Sequence, residues 1–333
     1  MKRIIIINKK FFLALQLIFL FNCQGILFGM VTNDTISERR ERVNWFEFEW
    51  IGNSEYYNFN LDKAHMIVEV RFENLHETYP MEFRLTGREN FMFTKTRRSM
   101  VWHYPAAEQL IEARQSAGRT RIEHFPEIAM ILGEERVRFG ITSFRVVPDP
   151  PRAAQTELIS KTYGAISGNI FHDKVLFIDL EGQRMAFDNE IPWSFMSKGE
   201  FVDFELILGY ITITVNINER DYNFWVLGEF QPAVEIYNKR LYGRIISSNQ
   251  VTDSLLVYNE LNQSELVAGN EPAYGVYLGD KNLKRLNYYY VEKSKTRFNR
   301  RRIIGTLPLS IFSEYIIVID YKNQKFGIVP RDN

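Results

Sequence analysis

The sequence predicts an all-β protein with few short helices, assembled from two copies of one unit. Three observations carry this. Short runs rich in β-branched and aromatic residues, bounded by turn residues, recur from Val43 onward. A late segment, residues 303–329, repeats an earlier one, residues 162–187. Aromatic residues make up 14% of the chain, with 26 Phe and 17 Tyr among them, and such side chains favour strands and broad packed faces.

The N-terminus comes first. "MKRIIIINKKFFLALQLIFLFNCQGILFG" opens with Lys2, Arg3, Lys9 and Lys10, continues apolar from Phe11 to Phe21, and ends in Cys23-Gln24-Gly25. That is the layout of a secretory signal peptide over residues 1–25, and the apolar run is short for a membrane span. Cleavage after Gly25, lipidation of Cys23 and an uncleaved anchor are the three alternatives. Asn22 is bulkier than the small residue a lipoprotein signal prefers before its cysteine. All three place the body outside the cytoplasm, in a periplasm, an envelope or the medium, and two of them attach it to a membrane. Residues 26–42 read as a tether, polar from Asn33 to Glu41.

Strands follow. "HMIVEVRFEN" and "VRFGITSFRVV" alternate apolar and polar residues, while "KVLFIDL", "YITITVNIN" and "EYIIVIDY" are short and apolar. "YPAAEQLIEARQSAG" breaks the pattern. Pro105 near its start, Leu110 and Ile111 within it, and Gly118 at its end predict a helix. "VPDPPRAAQ" (Val147–Gln155) holds three prolines and reads as a surface loop.

Composition excludes several functions. Lys+Arg and Asp+Glu are both 41 in 333 residues, so there is no basic surplus for general nucleic-acid binding. Cys23 is the only cysteine, which leaves the body without a disulfide framework, a zinc-thiolate site or a cysteine nucleophile. His65, His76, His103, His124 and His172 never fall at i,i+3 or i,i+4, so no metal-ligand pair is visible. "GVYLGD" follows no phosphate-loop pattern, and "GAISGN" (Gly164–Asn169) lacks Gly-x-Ser-x-Gly spacing. No cofactor or metal is expected.

The repeat is the strongest signal. Placing Asp320 on Asp179 sets an offset of 141 residues (320 − 179). Gly305 then falls on Gly164, Ile311-Phe312 on Ile170-Phe171, and Gln324 on Gln183. The same offset puts Phe224 on Phe83, Gly228 on Gly87 and Val226 on Leu85. Each half therefore carries an apolar strand ending in x-x-Gly, then a long interval, then "Gly…Ile-Phe…Ile-Asp". The boundary falls near "DNEIPWSFMSKGE", giving an N-terminal unit over residues 43–195 and a C-terminal one over 196–333.

Each half resembles a lobe of the pepsin/retropepsin aspartic peptidases, in particular the bilobal retropepsin-like proteins of bacterial envelopes. Ile303-Ile304-Gly305 matches the family's apolar-apolar-Gly element well, and Thr162-Tyr163-Gly164 matches it loosely. "IFSEYIIVIDYKNQKFGIV" looks like the closing segment of such a lobe. The likeness spans roughly residues 60–330. It implies two acid-protease-like lobes with a cleft between them. Leu85-Thr86-Gly87 and Val226-Leu227-Gly228 then stand where the family carries Asp-Thr/Ser-Gly, with leucine and valine in place of the two acids. A slip of one residue puts Arg84 and Trp225 there, still without an acid. Two close carboxyl groups sharing a proton are what this chemistry requires. The resemblance therefore implies a non-catalytic pseudo-peptidase with a binding or structural role, its partner a peptide or envelope protein in the cleft. An active endopeptidase with acids elsewhere, and an unrelated glycan- or surface-binding β-protein, stay open as alternatives.

No other residue supplies the missing chemistry in an evident way. Glu82 precedes Leu85 by three residues and faces the opposite side of a strand. Glu89 and Glu229 lie beyond the turns, and Arg88 with Glu229 is a candidate bridge between lobes. Asp179 and Asp320 share a repeat position but suit a strand-to-turn junction, where Asp accepts turn hydrogen bonds. "RFNRRR" (Arg297–Arg302) reads as a solvated loop, "NYYYVEK" and "FWVLGEF" as core aromatics, and "ILGEERVRFG" as a hairpin able to act as a flap.

Overall fold

The computed structural model describes residues 43–331 except 54–60, 74, 88, 116–120, 126–128, 134, 138–143, 151–156, 229, 231–232, 248–250, 259–263 and 293–302. The signal segment and tether, Arg88, Glu229, "RFNRRR" and the end of "ILGEERVRFG" thus lie outside the described residues. Asn44–Ile191 and Phe195–Asn333 form one compact unit. The expectation of an all-β chain holds, with 24 hydrogen-bonded strands and few short helices among the described residues.

The strands fall into two runs of twelve whose pairings recur. Strands β1 (Phe46–Asn53), β2 (Leu61–Phe72) and β3 (Thr78–Arg84) pair antiparallel in succession. So do β13 (Glu200–Ile207), β14 (Tyr210–Ile217) and β15 (Arg220–Val226). Strand β10 (Gly164–Ser167) runs parallel to β3 and antiparallel to β4 (Asn90–Phe93). Strand β22 (Ile303–Leu307) stands in the same relation to β15 and to β16 (Ala233–Ile236). The third strand in each set, β9 (Phe144–Val147) or β21 (Asn287–Tyr290), lies parallel to β4 or β16. Outer hairpins β5–β6 (Glu112–Gln115, Arg121–Phe125) and β17–β18 (Asp253–Tyr258, Ser264–Asn270) flank these. Another such pair is β7–β8 (Met130–Leu132, Glu135–Val137) and β19–β20 (Val276–Leu278, Lys281–Asn282).

The closing hairpins join the two runs. Strands β11 (Val175–Asp179) and β12 (Arg184–Asp188) pair with each other, as do β23 (Tyr315–Asp320) and β24 (Lys325–Pro330). Strand β11 also pairs antiparallel with β23, and Phe177 meets Val318, its counterpart at the offset of 141 (318 − 177). Apart from Tyr315 at the start of β23 their apolar side chains are buried, and one hydrophobic core runs through both halves of the chain. The turns agree in detail. Gln183 and Gln324 both adopt left-handed backbone, with φ of 49° and 54°. Their carbonyls accept from the Phe48 and Phe204 amides at 2.9 Å.

One local expectation fails. The helix predicted from Pro105 is only a 3-10 turn, Pro105–Leu110, and the chain then enters β5. The longer helix lies earlier, at Thr94–His103. It buries only Thr96 and Met100, so its sequence carries little apolar periodicity to announce it. Pro148 to Pro150 lie outside strands, as the proline-rich stretch requires.

Candidate functional site

The site is the pair of loops that leave β3 and β15. Strand β3 is held on one side by β2 and on the other by β10, with Arg84 beside Ser167. The chain then turns through Leu85-Thr86-Gly87. The Gly87 carbonyl accepts from Ser167 Oγ at 2.8 Å and from Asn169 Nδ2 at 2.8 Å. The Ser167 amide in turn donates to Asn90 Oδ1 at 2.8 Å. The first loop is thus tied to its own half.

The second loop starts from Val226, beside Leu307, and the Leu227 amide donates to the Leu307 carbonyl at 2.8 Å. Gly228 then reaches the first loop. A Cβ built on Gly228 would lie 3.0 Å from the Leu85 amide nitrogen and 3.1 Å from its Cβ. Phe230 packs edge-on against Trp50 of β1, with ring centroids 5.3 Å apart, and Lys63 Nζ lies 5.5 Å from the Phe230 centroid. The two loops therefore converge, Gly228 on Leu85, and Leu85 and Val226 are buried at 2% and 0% exposure. Tyr321 lies beneath the first loop, since a Cβ on Gly168 would meet both its hydroxyl and the Leu85 carbonyl. Burial pushes the Tyr321 phenol well above its ordinary range.

The register of the loops differs by two residues from the sequence offset. Gln183 and Gln324 match Phe48 with Phe204. Phe48 pairs with Val68, which pairs with Met81; Phe204 pairs with Ile213, which pairs with Phe224. Met81 thus corresponds to Phe224, and Leu85 to Gly228, an offset of 143 (228 − 85). The parallel neighbours agree. Ile166 lies beside Phe83, while Leu307, at the place of Ile166, lies beside Val226. The counterpart of Leu85 is therefore Gly228 rather than Val226. At neither register does an acid occupy the pair.

Among the described residues, the ionisable groups nearby are committed elsewhere. Glu82 is 8% exposed, and its carboxylate meets His65 Nδ1 at 2.9 Å and accepts from Arg84 Nε at 2.7 Å. Burial alone would raise its pKa. The hydrogen bond with His65 and the charge and hydrogen bonding of Arg84 outweigh that and hold it below the usual carboxylate value. In the other half the equivalent positions are Tyr210 and Trp225, stacked at 4.7 Å. A polar pair in one repeat is thus an aromatic pair in the other. Glu235, on β16, accepts from Tyr237 at 2.9 Å and Thr306 at 3.2 Å. Glu89 is exposed, with Arg145 at 3.4 Å. None of these is presented by the loops themselves.

Asp179 and Asp320 serve turns, as expected. Asp179 accepts from the Gly182 amide at 3.0 Å and Arg184 at 2.9 Å, and Arg331 approaches to 3.1 Å. Asp320 accepts from the amide and side chain of Asn323 at 2.9 and 2.7 Å. Tyr288, Tyr289, Phe224 and Trp225 are buried, in keeping with the core reading of both aromatic runs. Among the described residues no three His, Asp or Glu side chains gather as a metal site, and no helix is long and apolar enough to cross a membrane. Sequence reasoning missed the His65–Glu82–Arg84 cluster, which depends on the register of β2 against β3, and the Trp50–Phe230 contact, which joins β1 to the loop after β15. No protein-family model matches the chain, and no curated protein does.

Proposed function

We propose that the chain is a non-catalytic relative of the aspartic peptidases, with two pseudo-symmetric lobes and a binding or structural role outside the cytoplasm. The observation that carries this reading is the contact of Leu85 with Gly228 where the two loops converge. Aspartic-peptidase chemistry needs two carboxyl groups close enough to share a proton, one activating water and the other protonating the carbonyl oxygen. Leucine, valine and glycine can do neither. Losing one positioned acid–base group costs roughly 10²–10⁴ in rate, and losing both removes the mechanism. The recurrence of every pairing of β1–β12 among β13–β24 supports the duplicated-lobe reading. Carriage of a parallel strand beside each loop-bearing strand fits the family's arrangement.

Binding is what such a frame retains. The partner proposed is a peptide or envelope protein held between the lobes, and the N-terminal segment is proposed to export the chain or anchor it.

The test is hydrolysis of a mixed peptide substrate library by the full chain, from acid to neutral pH, with and without a statine inhibitor. No cleavage above the blank is expected. Cleavage that statine suppresses would replace this reading with an active endopeptidase. Fractionation of expressing cells, with mass analysis of the mature N-terminus, checks the location. A cytoplasmic protein with Met1 retained would sink that part.

A further inference from the structure

Phe230 belongs to the second loop, yet its ring rests on Trp50 in the first repeat. The receiving side is fixed from its own half. The Trp50 indole N–H donates to the Leu180 carbonyl at 3.4 Å, and the Phe48 ring stands edge-on to it at 5.2 Å. Lys63 supplies a cation over the Phe230 ring, and its own counter-charge is Glu181 at 3.7 Å. An edge-to-face aromatic contact and an ammonium over the ring together select an aromatic side chain over an aliphatic one.

The other repeat shows that the frame does not demand this contact. By strand register, Trp50 corresponds to Leu206, and the β3–β15 register carried past the strand ends sets Phe230 at the place of Gly87. Leu206 is 43% exposed, and a Cβ on Gly87 would meet nothing nearer than Ser167 at 3.8 Å. One repeat folds with the seat unbuilt and the ring missing; the other builds the seat and fills it from its own chain.

We propose that Trp50 and Lys63 form a binding seat for an aromatic side chain of a polypeptide partner, and that Phe230 occupies it as a self-docked plug. The proposal leans on the duplicated-lobe reading only for the comparison between repeats. The plug sits two residues past Gly228. Displacing it would therefore free the second loop at the point where the two repeats touch.

The test is titration of the full chain and its Phe230→Ala variant with N-acetyl-phenylalanine amide, followed through the indole N–H resonances. The five tryptophans, of which Trp50 is one, supply internal controls. Phe230→Ala is expected to give a saturable millimolar shift confined to the Trp50 indole. The unaltered protein should show that shift at least tenfold more weakly, and N-acetyl-alanine amide should give none. Adding Trp50→Leu to Phe230→Ala should abolish it. Phe230→Leu, which keeps apolar volume, is the fallback if the alanine variant does not fold, and should show the same selectivity more weakly. The proposal is overturned if the Trp50 resonance moves equally in both proteins, if all indoles shift alike, or if both variants unfold, since the ring is then simply core. Cleavage in the peptide assay would defeat the proposed function without touching this titration, and a silent Trp50 would defeat the seat without touching that function.

Discussion

Gly228 abuts Leu85 so closely that a methyl group on the glycine would sit 3.0 Å from the leucine's amide nitrogen. The first atom met is backbone, so a larger residue cannot be accommodated by rotating a side chain. Gly228→Ala is expected to lower unfolding free energy by about 1–3 kcal/mol through overpacking. Leu85→Ala, which empties a site only 2% exposed, should cost about 2–5 kcal/mol. The two share a contact, so the double variant should depart from additivity by more than about 0.5 kcal/mol. Urea melts of the four proteins decide this, and a neutral Gly228→Ala would mean the loops do not touch.

A matched pair of glycines tests the repeat. A Cβ on Gly164 would lie 2.2 Å from the Phe91 carbonyl oxygen, and one on Gly305 would lie 2.0 Å from that of Glu235. Both clashes are with backbone of the neighbouring antiparallel strand, at the same place in each half. Gly164→Ala and Gly305→Ala should each cost about 3 kcal/mol, similar to one another. Gly243, in the helix Lys239–Ile245 with nothing within 4 Å, is the control. Gly243→Ala should stabilise by about 0.5–1 kcal/mol, because alanine is the better helix former. Thermal melts of the three variants give the answer, and a large difference between Gly164→Ala and Gly305→Ala would argue against equivalent roles.

The two closing aspartates are predicted to matter for stability and not for chemistry. Asp179→Ala leaves the Gly182 amide unsatisfied and removes the acceptor for Arg184, a loss of about 1–3 kcal/mol. Asp320→Asn keeps an oxygen for the Asn323 amide and gives up mainly the side-chain bond, so about 1 kcal/mol is expected. Denaturant midpoints measure both. A change in any peptide-cleaving activity on either substitution would contradict the turn assignment.

The fold class was readable because the strands are written in period-two apolar runs, and the closing segments because a few identities and a shared apolar pattern recur at one offset. Gln183 and Gln324 do share a backbone conformation, and Gly164 and Gly305 do share a close approach. The loops were harder to align. The repeat has drifted by two residues between β3 and β10 relative to β15 and β22, and matching Gly87 to Gly228 conceals that drift. Those glycines are not equivalent. One carries the carbonyl held by Ser167 and Asn169, and the other makes room for Leu85. Only strand register separates the two cases. The His65–Glu82 pair was invisible for a similar reason: its counterpart is an aromatic stack, so no likeness between the halves points to it.

That pair gives a pH prediction. Glu82 is buried, which by itself would raise its carboxyl, but His65 and Arg84 hold the folded-state pKa below the ordinary value. A depressed carboxyl pKa stabilises the fold at pH above the unfolded value of about 4.3, and that stabilisation is lost as pH falls through the folded value. The fold should therefore lose stability from about pH 5 downward as the unfolded state takes up the proton first. Glu82→Gln removes the titration. It should cost about 1–3 kcal/mol at neutral pH, because an amide is a weaker partner for Arg84. It should also flatten the acid limb of stability against pH. Urea melts at several pH values between neutral and strongly acid compare the two proteins. Parallel curves for the wild type and Glu82→Gln would show that Glu82 titrates alike in the folded and unfolded chains, and that the His65 and Arg84 contacts do not hold its charge.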